Sequence, residues 1–199
     1  MFMSDALPPL LSEPLSVELA NTVFSSRGQL VDSLQDPGVF EQWLDALSPR
    51  LPVEAPRPWG ANALPRTRQL RNAIRSAFAS AADGSPPDLG ALATLNDATR
   101  AEPGWTEISL DAGHLLVSMS NADPHERLLA AFAVDAMVLL AGPMPAPVRA
   151  CESPGCVLFF VQDHPRRRCC STRCANRARA ARHYAGRRSG QRKRAPGTA

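Results

Sequence analysis

Four cysteines in the last quarter of the chain have the type and spacing of metal ligands. Four residues separate Cys151 from Cys156, three separate Cys170 from Cys174, and thirteen lie between the two pairs. Four thiolates on two tight turns can meet at one tetrahedral zinc ion, and a Pro-Gly dipeptide inside the first pair favours such a turn. A shell of four thiolates leaves no open position, so the sequence predicts one structural Zn²⁺ ion rather than a catalytic one.

Two alternatives to zinc are unrelated thiols and a pair of disulfides. The chain has five cysteines, an odd number, and residues 1–11 lack the basic and then apolar pattern of a signal peptide. The longest apolar stretch, residues 128–142, is interrupted by Asp135 and is shorter than the roughly twenty residues that cross a bilayer. We therefore expect a soluble cytoplasmic protein without membrane contact, in which disulfides are rare.

Charge is divided unevenly between two parts of the chain. Residues 149–199 carry thirteen Lys or Arg and two acids, a net charge of +11, whereas residues 1–148 carry nine Arg and seventeen acids, a net charge of −8. The basic part favours a polyanion as its partner, and the acidic part would be repelled by one. Two functions in two regions are therefore expected, with nucleic acid bound by the C-terminal region.

Composition predicts four segments. Residues 1–142 are expected to form an acidic helical domain, 143–148 a Pro-rich hinge, 149–188 the zinc module and 189–199 a disordered basic tail. The predicted fold class is α+β and mainly α, because most apolar residues of the first segment recur at helical spacing. The first predicted helix carries Leu15, Leu19, Val23 and Phe24 on one face, and others cover 37–47, 64–82, a segment after Pro87, and 124–141.

Strands are predicted in both regions. In the acidic domain, Trp105–Leu110 and His114–Met119 form a β-hairpin around the turn 111–113. In the zinc module, Val157–Val161 is expected to pair with Arg166–Cys169, and a helix is expected to begin at Cys170 with Ser171 as its cap. The module is therefore predicted as a β-hairpin followed by a helix.

Basic residues crowd this helix and the loop before it. A solvated helix face explains isolated arginines, but the clustering around one small metal site favours double-stranded DNA as the partner. The predicted DNA-binding residues are Arg166, Arg167, Arg168, Arg173, Asn176, Arg177, Arg179, Arg182 and His183.

The sequence of residues 167–180, Arg-Arg-Cys-Cys-Ser-Thr-Arg-Cys-Ala-Asn-Arg-Ala-Arg-Ala, resembles the CGNR zinc-finger family, whose signature is Cys-Gly-Asn-Arg after a Cys-Ser pair. Members of that family carry an N-terminal ABATE domain, described as a stress-induced transcription regulator. Segments 17–22, 32–44, 70–75 and 95–96 are similar to that domain. The resemblance therefore covers nearly the whole chain and implies a transcription regulator.

Two positions depart from the family pattern. Ala175 replaces the glycine of the signature, and Cys169 occupies a place where the family usually has Trp. The resemblance matches Cys170, before Ser171, to the third ligand; Cys169 is either a small packing residue or a thiol that competes for metal or is redox-active. It also places Asn176 and Arg177 on the last two signature residues, where they contact DNA or brace the zinc knuckle.

The acidic domain offers no convincing catalytic set, and we expect no enzyme. His114 and His125 are interpreted as solvent-facing or capping groups, and no phosphate-binding glycine loop or nucleophile elbow is found. Four polar residues on otherwise apolar helices either line a small-molecule pocket or form hydrogen bonds between helices: Asn21, Thr22, Arg71 and Arg75.

The leading hypothesis is a nucleoid-associated, zinc-containing DNA-binding transcriptional regulator, whose N-terminal domain senses a small-molecule effector or forms a homodimer. One alternative is an RNA-binding zinc protein. The other is a thiol redox sensor, in which oxidation releases the zinc.

Overall fold

Helices make up most of the described chain. The computed structural model describes residues 6–59, 63–110, 115–141 and 147–192. Its α-helices are α1 (Leu15–Ala20), α2 (Pro37–Leu47), α3 (Ala63–Asp83), α4 (Leu89–Arg100), α5 (Pro124–Ala141) and α6 (Thr172–Arg192). Short 3-10 helices cover Ser33–Gln35 and Ser48–Arg50. The predicted mainly helical α+β class is confirmed.

The strands form three separate antiparallel pairs within the described ranges. They are β1 (Val23–Ser26) with β2 (Gln29–Asp32), β3 (Gly104–Ser109) with β4 (Leu115–Ser120), and β5 (Val148–Ala150) with β6 (Phe159–Val161). The predicted hairpin is β3–β4, with Trp105 opposite Met119. Its predicted turn, 111–113, and His114 lie outside the described residues.

Helix α2 shows how closely local sequence determines an element. The Asp36 carboxylate accepts hydrogen bonds from the backbone N–H groups of Gly38 (2.8 Å) and Val39 (3.3 Å), and Pro37 occupies the first helical turn. An acidic N-cap followed by proline is typical of a helix start. The bounds of α2 equal the predicted ones, and those of α5 do so as well.

The prediction of one helix through Phe24 is wrong. Helix α1 ends at Ala20, and Val23 and Phe24 belong to strand β1. Arg27 and Gly28 join β1 to β2 with φ angles of +50° and +82°, the left-handed pair that a two-residue hairpin turn requires. A spacing of four residues between apolar side chains occurs by chance over so short a segment, and the β-branched Val23 favours the strand.

The predicted partner of the last strand is also wrong. Strand β6 pairs with β5, so that Val148 faces Val161, and not with residues 166–169. The pairing continues beyond the strands, because Cys151 N–H donates to the Leu158 carbonyl at 2.9 Å. Val148 is 3% exposed, whereas three consecutive arginines offer no apolar face to bury. Burial therefore selects the upstream segment.

The zinc module shares its core with the helices. Val148 and Phe159 belong to the main apolar cluster, together with residues of all five preceding α-helices, and β5 packs against α3. Phe24 of β1 belongs instead to the cluster formed by Leu158, Phe160 and the buried cysteines. Each part of the chain therefore completes the core of the other.

The boundaries of the predicted hinge and tail are only partly described. Residues 143–146 of the hinge lie outside the described residues, and Val148 already belongs to β5. Helix α6 continues to Arg192, four residues into the predicted tail, and residues 193–199 lie outside the described residues. No helix in the described part of the chain has both the length and the apolar composition to cross a membrane.

Candidate metal centre and basic cleft

The four predicted ligands meet at one point. The Sγ atoms of Cys151, Cys156, Cys170 and Cys174 all lie within 4.8 Å of one another. Three of these separations are 3.9 Å (Cys156–Cys170), 3.6 Å (Cys170–Cys174) and 3.8 Å (Cys174–Cys156). A tetrahedral ion with Zn–S bonds of about 2.3 Å places its sulfurs about 3.8 Å apart. The donor set therefore fits one Zn²⁺ ion.

Two local turns bring the sulfurs together. In the first pair, Gly155 has a φ of +71°, and Cys156 N–H donates to the Ser153 carbonyl at 3.0 Å. In the second pair, the Ser171 hydroxyl accepts a hydrogen bond from Cys174 N–H at 3.3 Å, as expected of a residue that caps helix α6. The predicted role of Ser171 is thus confirmed, but the predicted start at Cys170 is wrong, because the helix begins at Thr172.

Contacts among the thiols displace the pKa values of three of them. Hydrogen bonds from the Cys156 and Cys170 thiols lower the pKa of Cys151 far below its usual range. The hydrogen bond to Cys151 raises the pKa of Cys156 to about 11, and those to Cys151 and Cys156 raise the pKa of Cys170 strongly. A divalent cation at the centre replaces the shared protons and stabilises all four thiolates.

Family comparisons agree with this geometry. A family model described as "putative stress-induced transcription regulator", named ABATE, matches residues 13–143, about two thirds of the chain. The chain belongs to the ABATE family. The CGNR zinc-finger model matches residues 148–187, which contain the four cysteines. Among curated proteins, none matches the chain.

Cys169 lies beside the metal centre of this ABATE protein but outside the set of four. It is half-buried, and burial, followed by the neighbouring Cys151 thiolate, raises its pKa. A raised pKa leaves less reactive thiolate at neutral pH. By the positions of the sulfur atoms, the cluster contains Cys170 and not Cys169.

The two final signature residues have different surroundings. Arg177 donates from Nε to the Ser153 hydroxyl at 2.8 Å and from Nη2 to the Cys174 sulfur at 3.4 Å. These contacts brace the knuckle, as one of the two predicted roles requires. Asn176 is exposed and accepts a hydrogen bond at Oδ1 from Arg179 Nη1 at 3.1 Å.

A basic cleft of about 650 Å³ lies between helix α6 and the loop before it. Arg166 and Arg168 line it from the loop, and Asn176, Arg179 and Arg182 line it from the helix. The three helical residues fall on one face because they are spaced by three residues. Thus five of the nine predicted DNA-binding residues, four arginines and one asparagine, are exposed on one concave surface. The acidic Glu152 lines it as well, 3.6 Å from the Arg168 guanidinium.

The remaining predicted residues contribute differently. Arg167 also borders the cleft, but its guanidinium is half-buried and bonded to protein groups. Arg173 and His183 are exposed on α6 outside the lining of the cleft, and the His183 ring contacts that of Tyr184 with centroids 5.9 Å apart.

The four residues predicted to line a ligand pocket make protein contacts. Asn21 pairs with the backbone of Phe159, and Thr22 donates to the Leu19 carbonyl at 2.8 Å. Arg71 forms a two-point ion pair with Asp32, which, against the opposing effect of burial, lowers the pKa of that carboxyl. These are the contacts of the hydrogen-bond alternative, and the pocket stays a prediction.

Arg75, the fourth of these residues, connects three parts of the chain. It donates to the Ala20 carbonyl at 2.7 Å and to the Val157 carbonyl at 3.1 Å, and its guanidinium lies 5.1 Å from the centre of the Phe159 ring. Burial lowers its pKa, but an arginine remains charged at neutral pH. The residue therefore joins α1 and α3 to the zinc module.

Two residues of the site carried no sequence signal. Ser153 braces Arg177 from inside the first cysteine pair, and Glu13 contacts the zinc module from the opposite end of the chain. A polar residue in a tight turn indicates the turn alone. Contacts across more than a hundred residues leave no local pattern.

Proposed function

We propose that this ABATE protein is a transcriptional regulator that binds double-stranded DNA in the basic cleft. The observation that carries the proposal is the convergence of Arg166, Arg168, Arg179 and Arg182 on one concave surface beside the zinc centre. Guanidinium groups bind phosphate oxygens at two points, and a cluster of them gives strong, salt-dependent affinity for nucleic acid. The zinc ion in this proposal pins the N-terminus of α6 against the knuckle.

The dimensions of helix α6 suit the major groove of duplex DNA, whereas the major groove of double-stranded RNA is too deep and narrow for side chains to read. Helix α6 has 21 residues and is about 30 Å long, enough to cross a major groove, whose width of about 12 Å admits one helix. Asn176 stands on the face that would meet base edges, where Asn favours adenine. Arg166, Arg168, Arg179 and Arg182 would hold the adjoining phosphates.

The test is equilibrium binding of the zinc-loaded protein to a labelled mixed-sequence duplex at several salt concentrations. We expect log affinity to fall linearly with log salt. Single-stranded RNA added as competitor should displace the duplex less well than unlabelled duplex does. Absence of duplex binding at low salt would contradict the proposal. Preferential displacement of the duplex by RNA would favour the RNA-binding alternative.

The helical domain supplies regulation in this proposal, and the protein acts without catalysis. A groove of about 690 Å³, within the range of small-molecule sites, lies beside α5 and is lined by Leu15, Val134, Asp135 and Val138. Asp135 also accepts hydrogen bonds from the backbone and hydroxyl of Ser16 at 2.8 and 2.5 Å, at the start of α1. The far end of α1 contacts the zinc module, so an effector in this groove would act on the cleft through α1.

Filling this groove tests the effector site. Val134 is 48% exposed, and Val134→Trp would occupy the groove without entering the core. We expect the variant to bind DNA as the wild type does and to lose any response to an effector. Homodimerisation stays a prediction. Sedimentation of the wild type and of Val134→Trp would test it, because a dimer contact formed at Val134 would be altered in the variant.

A further inference from the structure

Glu13, in the segment before α1, reaches the zinc module from the helical domain. Its side chain is buried, 4% exposed for the whole residue. Its Oε2 accepts a hydrogen bond from Val161 N–H at 2.9 Å, and its Oε1 accepts one from Arg167 Nη2 at 2.5 Å. A buried carboxylate is stable only when such donors and a counter-charge surround it, so this contact is specific.

Arg167 links Glu13 to the loop that contains Arg166 and Arg168. Its guanidinium donates to the carbonyls of Val161 (3.0 Å), Cys170 (3.3 Å) and Cys169 (3.4 Å), and it lies 4.8 Å from the centre of the Phe160 ring. One side chain therefore ties the loop to strand β6. Because Arg166 and Arg168 are its immediate neighbours, their backbone positions are fixed by the same contacts.

The helical domain in turn fixes Glu13. Glu18 of α1 is fully buried, and its carboxylate accepts hydrogen bonds from the backbone N–H groups of Leu11 (3.0 Å) and Glu13 (2.9 Å). Burial raises the pKa of Glu18, while these two hydrogen bonds and Arg50 oppose the rise. Arg50 also donates to the Glu13 carbonyl. A continuous series of hydrogen bonds and ion pairs thus connects α1, through Glu13 and Arg167, to the cleft.

We propose that Glu13 is a positioning residue for nucleic-acid binding, which holds Arg166 and Arg168 in the cleft through Arg167 and so makes the affinity of the cleft depend on the helical domain. The proposal rests on the proposed function. The change in DNA affinity that it predicts has the opposite sign to the change that simple electrostatics predicts. Removing an acid near a basic site should strengthen binding to a polyanion, whereas removing a positioning acid should weaken it.

The experiment compares full-length, zinc-loaded Glu13→Gln with Glu54→Gln, which removes an exposed acid from the same domain. Affinity for the labelled duplex and its salt dependence are measured for both, together with zinc content and the far-ultraviolet circular dichroism. We expect Glu13→Gln to keep its zinc, to bind DNA about tenfold more weakly, and to lose up to about 0.9 of the salt slope for each of the two arginines. Glu54→Gln should bind at least as tightly as the wild type.

Glu13→Asp provides a second variant that leaves the net charge unchanged and shortens the side chain by one methylene. It too should weaken binding and lower the salt slope, and it replaces Glu13→Gln if that variant loses zinc or helix. Wild-type affinity and slope in a folded Glu13 variant would overturn the positioning role alone. Failure of the wild-type protein to bind the duplex would instead overturn the proposed function.

Discussion

The side-chain amide of Asn21 pairs with both backbone groups of Phe159, 138 residues later in the chain. Asn21 Nδ2 donates to the Phe159 carbonyl at 2.9 Å, and Phe159 N–H donates to Asn21 Oδ1 at 2.8 Å. Asn21 is fully buried at the C-terminal end of α1 and acts there as a one-residue substitute for a neighbouring strand. The matched ABATE and CGNR regions are therefore joined by a specific buried contact.

We expect Asn21→Ala to lower the free energy of unfolding by about 3 kcal/mol. The substitution leaves the buried N–H and carbonyl of Phe159 without partners, and each costs about 1–3 kcal/mol. Urea denaturation measures the change. Asn96→Ala, at an exposed position on α4, is the control and should change stability by less than about 0.5 kcal/mol. Equal stability of the two variants would show that the contact at Phe159 is dispensable.

Removal of zinc should destabilise the helical domain as well as the zinc module, because Val148 and Phe159 of the module lie in the core of the helical domain. Trp43 and Trp59 are buried in that core, so their fluorescence reports on the helices. In a Trp105→Phe background, we expect one cooperative thermal transition, shifted to lower temperature by a strong chelator. Structural zinc contributes to folding free energy directly.

The contrary outcome is a tryptophan transition that the chelator leaves unchanged. In that case the helical domain would fold independently of the metal. Readdition of Zn²⁺ is the control, since it should restore the original transition temperature at about one equivalent per chain.

Local chemistry made part of this structure predictable. The metal centre followed from cysteine spacing because two tight turns suffice to place four sulfurs, and α2 followed from Asp36 and Pro37 at its start. For the cleft, the sequence predicted only the residue types. Its arginines were evident, but which of them face one surface depended on where α6 begins.

Tertiary contacts set what the sequence could not predict. Glu13, Asn21 and Arg75 are each separated by more than eighty residues from the groups of the zinc module that they bind, and no periodicity marks such partners. The pairing of β5 with β6 was missed because the burial of Val148 depends on the position of α3. Asn21 and Arg75, two of the four residues that suggested a ligand pocket, join the two regions.

The arginines of the cleft should differ in their effect on DNA binding. Each Arg→Gln substitution at positions 166, 168, 179 and 182 should lower the salt slope by about 0.9, because each removes one phosphate contact at most. Arg167→Gln should lower both the salt slope and the thermal stability, since its guanidinium binds protein carbonyls and holds the loop that contains Arg166 and Arg168. Arg100→Gln, exposed on α4, should change neither quantity.

An unchanged slope in all four cleft variants would place the DNA on another surface. Arg173 would then be the residue to test first, because it is exposed on α6 outside the lining of the cleft. An Asn176→Ala protein completes the series. It should keep the wild-type slope and lose discrimination between duplex sequences, since a base contact carries specificity and little charge.

Cys169 should prove dispensable for zinc and for its release by peroxide. It lies outside the four-sulfur cluster, and its raised pKa disfavours the thiolate that reacts with a hydroperoxide. We expect Cys169→Ser to bind one zinc ion and to release it at the wild-type rate, whereas Cys170→Ser should lose tight binding. Slower release from Cys169→Ser would support the redox-sensor alternative. A colorimetric zinc indicator follows both reactions.

The final prediction concerns two arginines one turn apart on helix α6. Arg177 donates to the Cys174 sulfur and to Ser153, while Arg173 is exposed one turn earlier and outside the cleft. Partners of metal ligands typically alter metal affinity by 10–100-fold. We therefore expect Arg177→Gln to weaken zinc binding by about tenfold in competition with a chelator, and Arg173→Gln to leave it unchanged. Because both variants remove one positive charge, a general electrostatic effect would weaken or strengthen zinc binding equally in the two, and only the bracing contact predicts a difference.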